Sequence, residues 1–196
     1  MIVVDVETTG LDPKRHSIVS IGAIDFFNPA NQFYQECRIF EGAEITPEAL
    51  AINGFSEEEI KNPNKKTLEE IVKDFFKLAE SLEDRTIAGE NPEFDKGFLK
   101  ASAERCGIEW RFGSRTVDLH AVAYAHQLKR GFTPALKNGK SDQNLDKTLC
   151  YVGLPEEPKP HNGLVGAKME AEAFSRLIYG KSLLKEFEKF PIPDYF

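Results

Sequence analysis

Residues 2–13, Ile-Val-Val-Asp-Val-Glu-Thr-Thr-Gly-Leu-Asp-Pro, constrain the fold more than any other stretch of the chain. Ile2, Val3, Val4 and Val6 read as a buried strand, yet Asp5 and Glu7 interrupt it. Side chains two apart on a strand share a face, so the two carboxylates stand together. An exposed edge strand would turn a polar face to water, and the four aliphatic residues leave none. Two like charges buried side by side are costly unless a cation neutralises them. Hard oxygen ligands point to Mg²⁺ or Mn²⁺ rather than zinc. Thr8, Thr9 and Gly10 then end the strand, and Leu11-Asp12-Pro13 turns the chain at its carboxyl end.

The rest of the chain alternates strands and helices. Residues 17–27 and 33–40 read as two strands joined by a turn at Asn28-Pro29, forming an antiparallel hairpin beside the first strand. Lys14, Arg15 and His16 precede them in a solvated loop, with phosphate contact as the rival role. Thr46-Pro47 and Ser56 open short helices, the second with capping-box spacing. Residues 67–82 are amphipathic: Leu68, Ile71, Val72, Phe75, Leu78, Ala79 and Leu82 keep helical spacing. Residues 86–88 are a short strand, and Pro92 opens a helix with a buried stripe of Phe94, Phe98 and Ala101. Residues 115–119 read as a last strand followed by a helix to about residue 129, where His120 and His126 lack matching ligands. Residues 129–147 carry five Lys or Arg against Asp142 and Asp146, a net of +3, and read as a mobile loop, solvated or strand-guiding. Residues 144–152 carry apolar Leu145, Leu149 and Val152, and Asn162 caps a final helix with a stripe of Leu164, Ala167, Ala171, Phe174, Leu177 and Ile178. Gly180 ends that helix, and the apolar tail 190–196 docks on its own domain or on a partner.

Three stretches in order resemble the motifs of the DEDD family of 3′→5′ exonucleases. Asp5-Val6-Glu7-Thr8-Thr9-Gly10 resembles the first motif, D-x-E-T-T-G. Residues 88–95 (AGENPEFD) resemble the second, H-N-x-x-F-D, with Glu90 where histidine is common. Residues 161–167 (HNGLVGA) resemble the third motif of the DEDDh branch, H-x-A-L-x-D-A, but Gly166 stands at the place of the last aspartate. The branch is most similar here in its proofreading subunits of bacterial replicative DNA polymerase III. The resemblance implies an α/β, ribonuclease H-like mixed sheet flanked by helices, with residues 1–196 as a single exonuclease domain.

The resemblance also implies the chemistry. Hydrolysis of a phosphodiester needs an activated water, charge relief on the phosphate and help for the leaving oxygen, and two divalent ions about 3.5–4 Å apart supply all three. In the family's arrangement Asp5 would bridge two Mg²⁺ or Mn²⁺ ions, Glu7 would complete the first, and Asp95 would hold the second. His161 would be the general base, a task suited to a pKa near neutrality. Thr8, Thr9 and Leu11 match positions that hold the terminal nucleotide, and Asn91 and Phe94 match the facing wall. The expected substrate is a single-stranded DNA or RNA 3′ end. A DNA polymerase or another replication or repair protein is the expected partner.

Gly166 leaves the first ion one acid short. A glycine inside a helix costs about 1 kcal/mol relative to alanine, so helix stability does not explain it. Glu170, one turn on, is the nearest substitute along the helix. Restoring an aspartate at 166 is expected to complete the ligand set and raise activity by roughly 100-fold or more. The alternative is a catalytically impaired binding or scaffold module that keeps the fold, although such a module has no use for Asp5, Glu7, Asp95 and His161 together.

Composition sets the remaining bounds. With 196 residues and 41% hydrophobic content, the chain suits one domain with a sizeable core. No apolar run reaches the ~20 residues that cross a bilayer, and no signal peptide is visible, so a cytoplasmic location is expected. Cys37, Cys106 and Cys150 are widely spaced and read as buried free thiols. A net charge of −7 argues against tight non-specific binding of long duplexes, though not against gripping a strand end.

Overall fold

A computed structural model describes residues 1–195; Phe196, the last residue of the apolar tail, lies outside them. The sheet grows from strand β1 (Ile2–Thr8), whose even-numbered Ile2, Val4 and Val6 point to one face and odd-numbered Val3, Asp5 and Glu7 to the other. Strands β2 (Ile18–Asp25) and β3 (Gln32–Glu36) extend it antiparallel on one side. Strands β4 (Ile87–Gly89) and β5 (Val117–Asp118) add in parallel on the other, in the order β3-β2-β1-β4-β5. The expected meander and the mixed α/β sheet are both present. The strands are shorter than the sequence pattern suggests: β3 stops at Glu36, and β5 keeps two residues of the five expected.

Helices cover both faces. Helix α1 (Pro47–Asn53), α2 (Glu57–Lys61) and α3 (Leu68–Ser81) begin at the caps Thr46, Ser56 and Thr67, the last two as complete capping boxes. Phe75 and Ile71 of α3 pack with Phe98 and Leu99 of α4 (Pro92–Arg105) under Ile2, Val4 and Val6. The buried stripe of α4 is Asp95, Phe98, Leu99, Ser102 and Ala103; Phe94 and Ala101 sit at its margin instead. On the other face lie α5 (Leu119–Lys129), α6 (Leu145–Tyr151) and α7 (Gly163–Tyr179), whose Ala171 and Phe174 meet Val3 and Ile24. Ile178 is exposed, while Glu172 and Arg176 of α7 are fully buried as an ion pair of 2.7 Å. Arg176 also donates to the carbonyls of Val152, Phe187 and Phe190, so the segment after α7 is drawn onto the domain. Tyr195 completes the docking, its hydroxyl donating to the Tyr151 carbonyl.

Three local expectations are corrected. Residues 136–141 are not an open loop but a hairpin of β6 (Leu136–Lys137) and β7 (Lys140–Ser141). Asn138 and Gly139 both take positive φ at its two-residue turn, the conformation that Asn-Gly favours. His16 is buried rather than solvated, its Nδ1 3.1 Å from both the N–H and the carbonyl of Asp12, and Arg15 forks onto Glu44. Of the three thiols only Cys37 is buried; Cys150 is exposed. Among the described residues no helix is long and apolar enough to cross a membrane.

Candidate active site

Where β4 stops at Gly89, the neighbouring edge of β1 is left unpaired from its middle onward. The carboxylate of Asp95, in the first turn of α4, fills that gap: Oδ1 accepts from the Val6 N–H at 2.9 Å. On the opposite face α7 starts directly over Asp5. A Cβ on Gly163 would lie 2.6 Å from the Asp5 carbonyl, and one on Gly22 would lie 1.9 Å from the Gly163 carbonyl carbon. Two glycines facing each other therefore let this helix reach the sheet backbone.

The resulting cleft, about 720 Å³, brings together Asp5, Glu7, Asp95 and His161, all four of the catalytic residues expected from the sequence. Thr8, Leu11, Asn91 and Phe94 also line it, Leu11 standing 82% exposed at the rim. Thr9 does not. Its side chain is wholly buried, and its hydroxyl donates to the Glu44 carbonyl at 2.6 Å, so it shapes the turn from behind. Asn91 adopts a left-handed conformation (φ 51°) just before α4.

Five more acids line the cleft, Glu48, Glu90, Asp146, Glu157 and Glu170, and no Lys or Arg among the described residues does so. Burial pushes the Asp5 carboxyl up to about 7. Burial, then repulsion from Asp5 and Glu157, pushes Glu7 up to about 8. Glu157 is raised to about 8 by burial and by Asp5, and Glu90 to about 7 by burial and Asp118. Asp95 and Glu170 are raised as well, burial first and Asp5 second. Near neutral pH the cluster holds protons that a bound cation would displace.

His161 sits between α6 and α7, its N–H donating to the Ile52 carbonyl at 3.0 Å. Its Nδ1 is 3.3 Å from Glu157 Oε2. Burial lowers the imidazole pKa more than nearby Asp146 raises it, so the neutral form prevails at pH 7. A proton on Nδ1, the nitrogen beside Glu157, would leave Nε2 to accept one.

Glu157 and Glu90 carry little signal in the sequence. Glu157 lies in the Pro-rich segment 155–160, which has no periodicity, and reaches the cleft only through the fold. Gly166 stands against Asp5: a Cβ there would be 2.0 Å from Asp5 Oδ2 and 3.2 Å from Glu157 Oε1. Glu170 lies to the other side, with its Oε2 3.0 Å from where a Cβ on Gly89 would be.

Among the described residues no three His, Cys, Asp or Glu side chains already close on a point as a ready-made ligand set. The donors nonetheless fit a hard divalent cation: all are carboxylate oxygens, and Glu90, Glu157 and Glu170 each keep a buried oxygen without a hydrogen-bond partner. Asp5, Glu7 and Asp95 are the residues that could hold it.

Known proteins share this framework. The chain is 29% identical over 196 residues to a PolC-type DNA polymerase III of Thermotoga maritima, an alignment covering 96% of this chain and 13% of that protein. It is 28% identical over 123 residues to ribonuclease T of Haemophilus influenzae, covering 55% of this chain and 52% of that one. The chain thus spans at most about half the length of these curated relatives. In fold it is similar to E. coli exonuclease I solved with a dA16 oligonucleotide (TM-score 0.71, 16% identity, 92% of this chain and 40% of that one). Cell-death related nuclease 4 is similarly related (TM-score 0.71, 15% identity, 92% and 64%). The family model described as Exonuclease matches residues 2–174, nearly the whole of the sheet and its helices, and the chain belongs to that family.

Proposed function

We propose that the chain is a metal-dependent 3′→5′ exonuclease that removes nucleotides from single-stranded DNA ends. The observation that carries this reading is the convergence of Asp5, Glu7, Asp95 and His161 on one cleft whose buried carboxylates face no protein cation among the described residues. Mg²⁺ or Mn²⁺ held by Asp5, Glu7 and Asp95 would supply charge relief at the phosphate and a more acidic water. His161, neutral at pH 7, takes the proton of the attacking water through Nε2, while Glu157 steadies the ring at Nδ1. Leu11 and Phe94 offer apolar surfaces between which a terminal base is held, and Asn91 adds a polar group beside them. The likeness to exonuclease I, solved with a DNA oligonucleotide, supports a single DNA strand as substrate. The likeness to a PolC-type polymerase supports work beside a polymerase.

An end-labelled single strand with Mn²⁺ tests this. A free 3′-hydroxyl should yield mononucleotides, and a 3′-phosphate should slow release sharply. Equal cutting of a circular strand would make the enzyme an endonuclease, and preference for an RNA strand of the same sequence would reverse the substrate assignment.

A further inference from the structure

Gly166 takes a carboxylate away from the site, yet the space beside it is filled. The position where a side chain at 166 would begin is 2.0 Å from Asp5 Oδ2 and 3.2 Å from Glu157 Oε1. Asp5 stands closest to that position, and Glu157 Oε1 borders the same volume. Its Oε1 is buried and has no hydrogen-bond partner, and the side chain as a whole is only 6% exposed. A carboxylate oxygen in that state is costly unless something not belonging to the chain meets it.

The local backbone holds Glu157 in place. Its N–H donates to Asp146 Oδ1 at 3.2 Å, and His161, four residues on, is tied to Ile52. Glu157 Oε2 meanwhile sits 3.3 Å from His161 Nδ1. One oxygen thus lies beside the imidazole, and the other shares the space next to Gly166 with Asp5. Glu170, the substitute suggested by helical spacing, is also buried and feels the Asp5 charge. Its Oε2 lies over Gly89 on β4, whereas the atoms nearest a Cβ at 166 belong to Asp5 and Glu157.

We propose that Glu157 is the metal ligand that replaces the acid absent at Gly166, completing a set with Asp5 and Glu7 while its second oxygen orients His161. This rests on the reading of the cleft as a divalent-metal site, and deepens it by naming the ligand that the helix itself cannot provide. The ligand arrives from the loop before α7 rather than from α7. The small residue at 166 is then a requirement, because any side chain there would displace Asp5 and crowd Glu157.

The test is Mn²⁺ binding to the full chain, followed by calorimetry and by the electron paramagnetic resonance of free Mn²⁺, without substrate. Glu157→Gln keeps the shape and the contact to His161 but weakens one Mn²⁺ site about 10–100-fold, as loss of a partner at a metal site does. Glu170→Gln weakens that site less than Glu157→Gln does. Asp5→Asn separates the two levels of the proposal. If it abolishes Mn²⁺ binding while Glu157→Gln leaves affinity unchanged, Glu157 is no ligand and the metal site stands. If Asp5→Asn also leaves binding unchanged, the metal site itself is overturned. Should Glu157→Gln shift only the pH profile of strand degradation, Glu157 positions His161 and nothing more, and the ligand assignment falls.

Discussion

Asp95 Oδ1 accepts a 2.9 Å hydrogen bond from the backbone N–H of Val6, the residue between Asp5 and Glu7, across 89 residues of sequence. A side chain of α4 thus completes the pairing of β1 where β4 has ended. The same carboxylate that caps the strand also enters the cleft.

Two substitutions separate these roles. Asp95→Asn keeps an oxygen for Val6 and removes a crowded charge, so the metal-free melting temperature should hold or rise. Strand degradation should fall at least about 100-fold. Asp95→Ala strands the buried Val6 N–H and should cost about 1–3 kcal/mol in a denaturant titration. Equal stability of the two variants would show that the hydrogen bond contributes nothing.

The pH dependence follows from the raised carboxyls. Asp5, Glu7, Glu90 and Glu157 titrate at about 7 or 8 when folded, against the ordinary carboxylate range near pH 4 when unfolded. Between those limits the folded state binds more protons, so stability falls as pH rises. His161 and His126, both lowered, oppose this only as pH drops below about 6.5. Metal-free protein should therefore melt higher at pH 6.5 than at pH 8.5. Mn²⁺ should raise the pH 8.5 value most, because it binds only the folded form and takes the place of the protons. Thermal melts at both pH values with and without Mn²⁺ check it. A metal-free melting temperature that rises with pH would refute it.

Gly166→Asp alone should not produce the gain that the sequence pattern suggests. The new side chain starts 2.0 Å from Asp5 Oδ2, so Asp5 and Glu157 must both give way. Overpacking of this kind costs about 1–3 kcal/mol. We expect a lower metal-free melting temperature and no tighter Mn²⁺ binding than in the parent chain. A hundredfold gain in degradation rate would show that the space is open after all.

The basic hairpin offers a fourth prediction. Ser141 on β7 contacts His120, and Asp118 before α5 accepts from the N–H of Asn91 in the cleft wall. Lys137 and Lys140 are exposed on the hairpin. Replacing both by alanine should weaken single-strand binding. It should also flatten the plot of log affinity against log salt by about 0.7 for each phosphate that is no longer neutralised. Unchanged slopes in a fluorescence-anisotropy titration would leave the hairpin without a role in guiding the strand.

What is legible in the sequence is local. The carboxylates of β1 share a face because strand geometry repeats every two residues, and the caps at Ser56 and Thr67 are written within four residues. Asn138-Gly139 carries its turn signal too, but strands of two residues are too short to show alternation. Glu157 is illegible because no period links residues 155–160 to the cleft; only the path between α6 and α7 does. The buried Glu172–Arg176 pair is hidden for a similar reason. Its spacing is that of an ordinary surface pair, and burial comes from the segment folded over it. Thr9 fits the motif but faces the turn, a distinction that depends on Glu44.

The position of β1 between β2 and β4 has one more consequence, for hydrogen exchange. Amides of a central strand exchange slowly, since releasing them requires opening most of the domain. Val6 is the exception, because its partner on the unpaired edge is the Asp95 side chain rather than another strand. Its amide proton can escape through motion of a single carboxylate, leaving the sheet intact. The exchange rate at that one amide is therefore a gauge of whether Asp95 is held, readable without substrate and in the middle of an otherwise silent strand.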